Sequence, residues 1–439
     1  MSRVFLSLIF VFGIAFGAFS KEDSSELLER LKQIPQISKV KKIDVTDHFT
    51  EAYEFYFEQA IDPNDPESSK FLQRVVIGHI DFDSPVVFEL EGYSIHSAES
   101  GELPTMFQCN QIAIEHRFFE NALPENGEIP WEKLTIENAA FDHHQIIQSI
   151  KEKVYPKCKF IATGISKGGQ TTMIHRSFYP NDVDVSVCYV APLNFSREDP
   201  RIYKFLKSVG TKKQRDQIKD FQLRCLKAKK EILPIMKLWA RENKLEWDFS
   251  LEMAFEYYVL EYSFAFWQWG FTKFSEIPDE KASAAELLSH VLDVTGVSFF
   301  EKHGVEELRP YFWAALTQEG IYGYEVDAFK DYLSQKTTYT FDFAFPQGHE
   351  KAFDPEPMRK LNQFIQEKAT KIMFINGGLD TWGATGVKLT DKAKARGLKL
   401  YVNEKGHHAT RIRHFDRKVK KEIIETLETW LGVEVKREP

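Results

Sequence analysis

Cysteine is scarce in this chain, with four residues among 439, and none of the four forms a Cys-x-x-Cys pair or another spacing typical of metal ligands. The sequence therefore offers no thiolate metal site. Of Cys109, Cys158, Cys188 and Cys225, three lie in or at the start of segments that we predict to be buried strands. This placement favours free thiols in the core, while one disulfide stays compatible with a protein outside the cytoplasm.

Basic runs interleaved with aromatic residues are also absent, and 57 Lys and Arg stand against 65 Asp and Glu, for a net charge of -8. The chain therefore lacks the electrostatic footprint of a nucleic-acid-binding protein. No apolar stretch of about eighteen residues follows residue 20, so we expect the mature protein to be soluble, without a membrane-spanning segment.

The first twenty residues form a separate segment. A short positive start at Arg3 precedes an almost unbroken apolar run over residues 4–19, and a small-x-small cleavage site ends at Ser20. This pattern predicts a secretory signal peptide over residues 1–20 and hence export to the periplasm or the exterior. The alternative is a buried first helix or a membrane anchor, for which the apolar run is short.

Hydrophobic periodicity divides the mature chain into three parts. Continuous apolar runs alternate with helical patterns over residues 21–198, and the sheet pattern returns over residues 336–439. Such alternation is typical of a mostly parallel sheet covered by helices on both faces. Residues 199–335 contain helical patterns, no convincing strand and five of the eight Trp residues, which predicts a helical cap inserted into one α/β domain.

A Gly-x-Ser-x-Gly string, residues 164–168, lies between a predicted strand and a predicted helix. In a nucleophile elbow, glycines two residues to either side let the serine adopt a strained turn that lifts its hydroxyl above the sheet edge. The next backbone amide, here that of Lys167, then points at the developing oxyanion. We predict Ser166 as a nucleophile, and the alternative is a tight packing turn with an unreactive serine.

Two later loops follow predicted strands in the order that this chemistry requires, first an acid and then a histidine. Asp380 follows one strand pattern, and the pair His407-His408 follows the next. We predict that Asp380 orients a histidine that removes the Ser166 proton and later protonates the leaving amine. A metal site is the alternative for the two histidines, but neighbours in sequence rarely point at one ion.

Four blocks of the sequence resemble signature blocks of the PS-10 serine peptidases: EHRFFE from Glu115, GISKGG from Gly164, NGGLDTWGATGV from Asn376 and GHHATRI from Gly406. They are more distantly similar to blocks of prolyl carboxypeptidase and dipeptidyl peptidase II. The PS-10 peptidases are secreted prolyl tri- and tetrapeptidyl aminopeptidases. With the sheet pattern, the resemblance implies an α/β-hydrolase fold with a large helical cap, and a serine peptidase that releases short peptides, preferably tripeptides ending in Pro, from free N-termini.

The resemblance assigns Ser166 as nucleophile, Asp380 as acid and His408 as base, because the family's histidine is followed by two residues and then Arg-Ile, as His408 is here. Two positions depart from the carboxypeptidase group, where Tyr stands in place of Lys167 and Pro in place of Thr381. We therefore do not borrow subsite preferences from that group. The acyl-enzyme mechanism requires neither a metal nor an organic cofactor.

A second oxyanion donor should come from the loop that follows the strand pattern at residues 84–90. We predict the amide of Gly92 or of Tyr93, because glycine lets the backbone approach a ligand closely. An ordinary turn glycine is the alternative at that position.

Recognition of a free N-terminus near an apolar pocket requires a carboxylate counter-charge. A further segment, TQEGIYGY from Thr317, is similar to a block of the carboxypeptidase group, and the resemblance begins at about Glu91. From these places we rank Glu91 and Glu319 ahead of Glu198 and Asp199. For each, a surface or structural carboxylate is the alternative. We interpret Glu115 and Arg117 as a structural ion pair behind the site.

The aromatic residues of the cap are predicted to close over the site and to limit how much chain fits, as an exopeptidase requires. A proline ring favours a shallow aromatic pocket, and we predict Trp267, Trp269 and Trp382 as its walls. The alternative is that these rings form the core of the cap itself.

The sequence therefore predicts an exported serine exopeptidase with a peptide substrate. Two other classes fit parts of the pattern: an esterase or lipase on the same fold, and a catalytically inactive module that binds peptides in the aromatic groove. A neutral ester needs no counter-charge, so charge reversal at Glu91 and Glu319 separates peptidase from esterase. Lack of labelling by a fluorophosphonate would favour the binding module.

Overall fold

A computed structural model describes residues 25–45, 48–95, 98–335 and 339–433. The predicted signal peptide over residues 1–20 lies outside these ranges. Within them, no helix is both long enough and apolar enough to cross a membrane.

One sheet forms the centre of the fold, and the described residues contribute nine strands to it. The apolar runs that periodicity marks as strands are all part of this sheet. The strands are β1 (Ile37–Ile43), β2 (Glu51–Ala60), β3 (Lys70–His79), β4 (Val86–Leu90), β5 (Asn110–Ile114), β6 (Phe160–Ile165), β7 (Val185–Tyr189), β8 (Ile372–Gly377) and β9 (Lys399–Asn403).

The strand order is β1-β2-β3-β5-β4-β6-β7-β8-β9. The first four strands in this order pair antiparallel, and every pairing from β5 across β4 to β9 is parallel. Parallel strands end at the same edge of a sheet, so the loops after β4, β6, β8 and β9 meet at one edge. This topology is the predicted α/β-hydrolase fold.

Helices cover both faces of the sheet and also form the cap. Between β7 and β8 the described residues form α5 to α12 and no strand, and α5 to α11 lie within residues 199–335, where the sequence predicts the helical cap. The helices are α1 (Glu26–Lys32), α2 (Glu102–Phe107), α3 (Ile136–Lys153), α4 (Lys167–Phe178), α5 (Pro200–Leu206), α6 (Lys212–Lys227), α7 (Lys229–Asn243), α8 (Leu251–Trp269), α9 (Ala284–Thr295), α10 (Lys302–Glu307), α11 (Arg309–Ala314), α12 (Glu356–Glu367), α13 (Asp391–Ala395) and α14 (Arg417–Leu431).

The central strands are apolar on both sides because both sides are covered. Phe88 on β4 belongs to a core that includes side chains of α1 and α3. Its neighbour Val87 belongs to a separate core with side chains of α2 and α14. Successive strand residues point to opposite faces, so continuous apolar runs are what this arrangement requires.

Helix α8 is the central helix of the cap. The Ser250 side chain accepts the amide of Met253 at its start, and Gly270, with a φ of 62°, follows its last residue. Nearly every side chain from Ala254 to Trp267 is buried. A helix that is apolar on all sides lies inside a core, so most aromatic residues of the cap pack against one another.

The predicted ion pair between Glu115 and Arg117 is wrong. Arg117 instead pairs with Asp142 on α3, with 2.6 Å from Nε to Oδ2, and all of these side chains are buried. Glu115 lies 3.6 Å from Arg74 on β3 and accepts the amide of Ile95. The two residues follow the end of β5, and their side chains turn to different neighbours, Glu115 to β3 and Arg117 to α3.

The four cysteines are free thiols, as the sequence favoured. Cys109, Cys188 and Cys225 are buried, and Cys158 is half-buried. The fold therefore depends on its packed core rather than on a covalent cross-link.

Candidate active site

Ser166 lies in a sharp turn between β6 and α4. Its φ of 58° and ψ of -119° are unusual for a residue with a side chain. The flanking glycines are required by space: a Cβ on Gly164 would lie 2.2 Å from the carbonyl oxygen of Gly168, and one on Gly168 would lie 2.8 Å from that of Leu90. This is the conformation that a nucleophile elbow needs.

Asp380 and His408 come together from the loops after β8 and β9. The distance from His408 Nδ1 to Asp380 Oδ2 is 2.8 Å, and both side chains are buried. The other carboxylate oxygen of Asp380 accepts the amide of Trp382. Because Nδ1 faces a carboxylate, it carries the proton, which leaves Nε2 of His408 as the acceptor.

His407 points away from this pair. Its Nδ1 lies 2.7 Å from the carbonyl oxygen of Trp267, and its ring packs on Gly270, where a Cβ would approach to 2.3 Å. His407 therefore fastens its loop to the end of α8. The structure brings Asp380 to His408 and not to His407.

A cavity of about 630 Å³ connects these residues with the cap. Ser166 and His408 line it from the sheet edge, and side chains of α8 and of the segment after α11 line it from the cap. Of the residues predicted for the site, those that line this cavity are Glu91, Tyr93, Ser166, Lys167, Trp269, Glu319, Trp382 and His408.

The predicted oxyanion donors lie at this turn. Lys167 is the first residue of α4, where helix geometry provides no acceptor for the amide. The loop after β4 crosses directly over it: a Cβ on Gly92 would lie 2.5 Å from Cβ and Cγ of Lys167 and 2.7 Å from the amide nitrogen of Gly168. Only glycine allows this approach, so Gly92 is more than an ordinary turn residue.

Glu319 lines the cavity but already has a counter-ion. Nζ of Lys167 lies 2.7 Å and 2.8 Å from its two carboxylate oxygens, and both side chains are at most 4% exposed. A carboxylate in a buried bidentate pair is already neutralised by its partner, so it attracts an incoming cation only weakly. As the principal ammonium ligand, Glu319 is therefore a weaker candidate than its place in the sequence indicated.

Glu91 has no such partner. Within the part of the chain that the structure describes, its carboxylate contacts no cationic side chain and no hydrogen-bond donor. Burial, together with repulsion from Glu89 and Glu115, raises the pKa of Glu91 well above its ordinary value. An approaching cation therefore stabilises the ionised form of this carboxylate.

A third carboxylate of the cavity, Glu261 on α8, was missed by the sequence analysis. It is 4% exposed and accepts the hydroxyl groups of Tyr322, at 2.9 and 3.0 Å, and of Tyr324, at 2.7 Å. Burial raises the pKa of Glu261 to about 8. The available signal was an acid within the apolar stretch 261–269.

The cavity wall also includes Arg411. Its Nη1 lies 2.9 Å from the carbonyl oxygen of Thr410, and the carboxylates whose charges act on it are Glu89 and Glu102. Arg411 therefore compensates neither Glu91 nor Glu261.

The three predicted tryptophan walls have different positions. Trp382 is 8% exposed, lines the cavity and packs edge-on against Phe264 and Tyr322. Trp269 also lines the cavity, at its exposed edge. The prediction for Trp267 is wrong, because its ring packs against Phe274 in the cap core and does not reach the cavity. Residues two apart on a helix point in different directions, so Trp267 and Trp269 cannot share a wall.

The strained serine, the histidine–aspartate pair and the shared cavity define the class of the protein. It is an α/β-hydrolase with the arrangement of a serine hydrolase.

The chain belongs to the PS-10 peptidase S37 family, whose family model matches residues 21–435. This confirms the resemblance seen in the sequence blocks. The chain is similar to the prolyl tri/tetrapeptidyl aminopeptidase of Streptomyces mobaraensis, with 31% identity over 387 residues that cover 86% of this chain and 79% of that protein.

Two solved esterases are similar at low identity. Acetyl xylan esterase 1 from Thermoanaerobacterium sp. JW/SL YS485 has a TM-score of 0.38 at 11% identity, over 92% of this chain and 91% of the esterase. A carboxyl esterase from Bacillus coagulans has a TM-score of 0.36 at 12% identity, over 86% of this chain and 98% of the esterase.

Proposed function

We propose that this protein is an exported serine exopeptidase that releases short peptides, preferably tripeptides ending in Pro, from free N-termini. The observation that carries the proposal is one cavity that combines Ser166 and His408 with two carboxylates, Glu91 and Glu261, for which the described part of the chain provides no cationic partner. Support for the length and the Pro preference comes from the similar aminopeptidase of Streptomyces mobaraensis. Support for export is the signal-peptide pattern of residues 1–20.

The proposed reaction proceeds through an acyl-enzyme. Ser166 Oγ attacks the carbonyl carbon of the scissile amide while Nε2 of His408 takes its proton. The C–N bond then breaks, and His408 returns that proton to the leaving amine. Water, deprotonated by His408, hydrolyses the resulting ester and regenerates the Ser166 hydroxyl. Asp380 holds the imidazole and stabilises its cation, and the amides of Lys167 and of Gly92 or Tyr93 stabilise the oxyanion.

The ammonium group of the substrate binds the carboxylates that the protein leaves uncompensated. Lys167 neutralises Glu319, so Glu91 and Glu261 carry this role. A bound ammonium lowers the pKa of Glu261 and favours its ionised form, since an opposite charge nearby offsets the cost of burial. The hydroxyl groups of Tyr322 and Tyr324 hold the carboxylate in place.

The proline ring before the scissile bond packs on Trp382 and Tyr322. Both line the cavity, and their rings lie 5.4 Å apart and nearly perpendicular, which forms an apolar corner. Flat aromatic walls favour a rigid, compact ring over a long side chain.

The test compares the mature protein with Ser166→Ala on Ala-Ala-Pro-p-nitroanilide, with a free or an acetylated N-terminus, and on p-nitrophenyl acetate. We expect turnover of the free peptide, loss of at least three orders of magnitude in Ser166→Ala, and little turnover after acetylation. Ser177→Ala on the same helix, outside the cavity, is the matched control. Turnover of the ester alone would contradict the peptidase assignment and leave an esterase.

A further inference from the structure

An apolar rim borders the cavity. Eight large hydrophobic side chains are exposed among the residues that the structure describes; two of them line this cavity and a third packs against one of these two. Ile165, 38% exposed, and Trp269, 40% exposed, line it, and Phe271, 75% exposed, stacks on Trp269. Clustered exposed apolar groups mark binding surfaces more often than scattered ones do. We call these three residues the apolar rim.

The rim is placed directly beside the base. The rings of Trp269 and Phe271 lie 5.8 Å apart with an interplanar angle of 17°, and Trp269 meets the ring of His408 edge-on at 5.5 Å. The amide of His408 donates to the carbonyl oxygen of Gln268 at 2.8 Å. These contacts fix the position of the two stacked rings relative to the catalytic imidazole.

Two of the three carboxylates that line the cavity, Glu261 and Glu319, have a different environment. Glu261 is 4% exposed and Glu319 is 3% exposed, against 75% for Phe271. The cavity thus combines buried charge with exposed apolar surface. A peptide whose ammonium group binds Glu261 and Glu91 directs the rest of its chain toward the exposed edge.

We propose that the apolar rim binds the first residue of the departing chain and favours an apolar, preferably aromatic, side chain there. The inference rests on the proposed function. His408 must donate its proton to the leaving nitrogen, so the residue that carries this nitrogen passes beside the imidazole, and Trp269 is the exposed ring in contact with that imidazole. Ile165 precedes the nucleophile and provides further apolar surface.

The test measures kcat/KM for peptides Ala-Ala-Pro-Xaa-Ala, with Xaa as Phe, Leu, Ala or Asp, and for the methyl ester of Ala-Ala-Pro, whose leaving group has no side chain. We expect the Phe peptide to exceed the Ala peptide by about tenfold, with Leu between them. In Phe271→Ala this ratio should fall to about threefold or less, because kcat/KM falls more for the Phe peptide than for the Ala peptide or the methyl ester. Trp269→Ala should remove the remaining preference.

Leu238→Ala is the matched control, because Leu238 is 54% exposed on α7 and does not line the cavity. Its Phe-to-Ala ratio should equal that of the wild type. A wild-type enzyme indifferent to Xaa, or an unchanged ratio in Phe271→Ala, would overturn the inference while the turnover itself upholds the proposed function. No turnover of any Ala-Ala-Pro substrate would overturn both.

Discussion

Replacing Lys167 by Met should destabilise the protein strongly, because it removes the counter-ion of a buried carboxylate. Lys167 and Glu319 are at most 4% exposed, and Nζ contacts both carboxylate oxygens. Met keeps an unbranched side chain that packs on Gly92 as the aliphatic part of Lys167 does, so the substitution mainly removes the positive charge. Loss of one partner of a buried pair costs about 3–5 kcal/mol in the free energy of unfolding.

The double variant Lys167→Met/Glu319→Met should recover most of this loss, because two apolar side chains leave no buried charge behind. Lys207→Met is the matched control: it breaks a pair with Glu325 whose side chains are 66% and 45% exposed, so it should cost at most about 1 kcal/mol. Urea unfolding at pH 7 gives the four free energies.

Two results would refute this reasoning. One is a Lys167→Met variant within about 1 kcal/mol of the wild type, which would mean that the carboxylate finds water or another donor. The other is a double variant as unstable as the single one, which would mean that shape rather than charge makes the pair important.

Three further predictions concern the oxyanion loop, the ammonium site and the core. Gly92→Ala should lower kcat on Ala-Ala-Pro-p-nitroanilide by about 10²- to 10³-fold, because the added Cβ would displace the start of α4. The control Gly101→Ala, whose Cβ would have ordinary contacts of 3.6 Å, should retain activity, and equal kcat values for the two variants would contradict the place of Gly92 in the oxyanion loop. Glu261→Gln should raise KM for unblocked peptides about tenfold without changing p-nitrophenyl acetate turnover, and an unchanged KM would exclude Glu261 from the ammonium site. A carboxyl group whose pKa is raised in the folded state stabilises that state at low pH and loses this effect as the pH rises, so the wild type should lose stability between pH 4.5 and about 8 and Glu261→Gln should not. Burial lowers the pKa of His143, and neither of its ring nitrogens has a partner among the described residues, so the stability of the protein should fall as the pH drops below about 6.5. In thermal melts, His143→Leu should therefore be more acid-resistant than the exposed control His303→Leu.

Much of the fold and the arrangement around Ser166 could be predicted because the signals are local. A strand, a glycine-bounded serine and a helix are adjacent in sequence, and the loops that carry Asp380 and His408 each follow an apolar strand. Parallel strands deliver their carboxyl ends to one edge, so the chain order alone predicts that these loops meet.

The side of a helix that faces the cavity could not be predicted where periodicity is missing. Helix α8 is buried on nearly all sides, so its sequence has no polar stripe to indicate which residues point toward the site. Trp267 and Trp269 were therefore indistinguishable, and Glu261 had no recognised role. The pair of Lys167 with Glu319 escaped prediction for another reason: the two residues are 152 positions apart, and their contact depends on how the cap sits on the sheet.

The contacts of α8 show that the cap is part of the catalytic frame. The Thr381 hydroxyl donates to the carbonyl oxygen of Phe264 at 3.0 Å, and the amide of His408 donates to that of Gln268 at 2.8 Å. One helix end thus holds the loop of the acid and the loop of the base. The same helix carries Glu261 and Trp269, so a change that shifts α8 should alter catalysis and substrate choice together. Under the proposed function, selection for a short N-terminal segment would follow from how the base is held, because α8 would carry the groups that bind the two ends of the substrate and also hold the loop of His408.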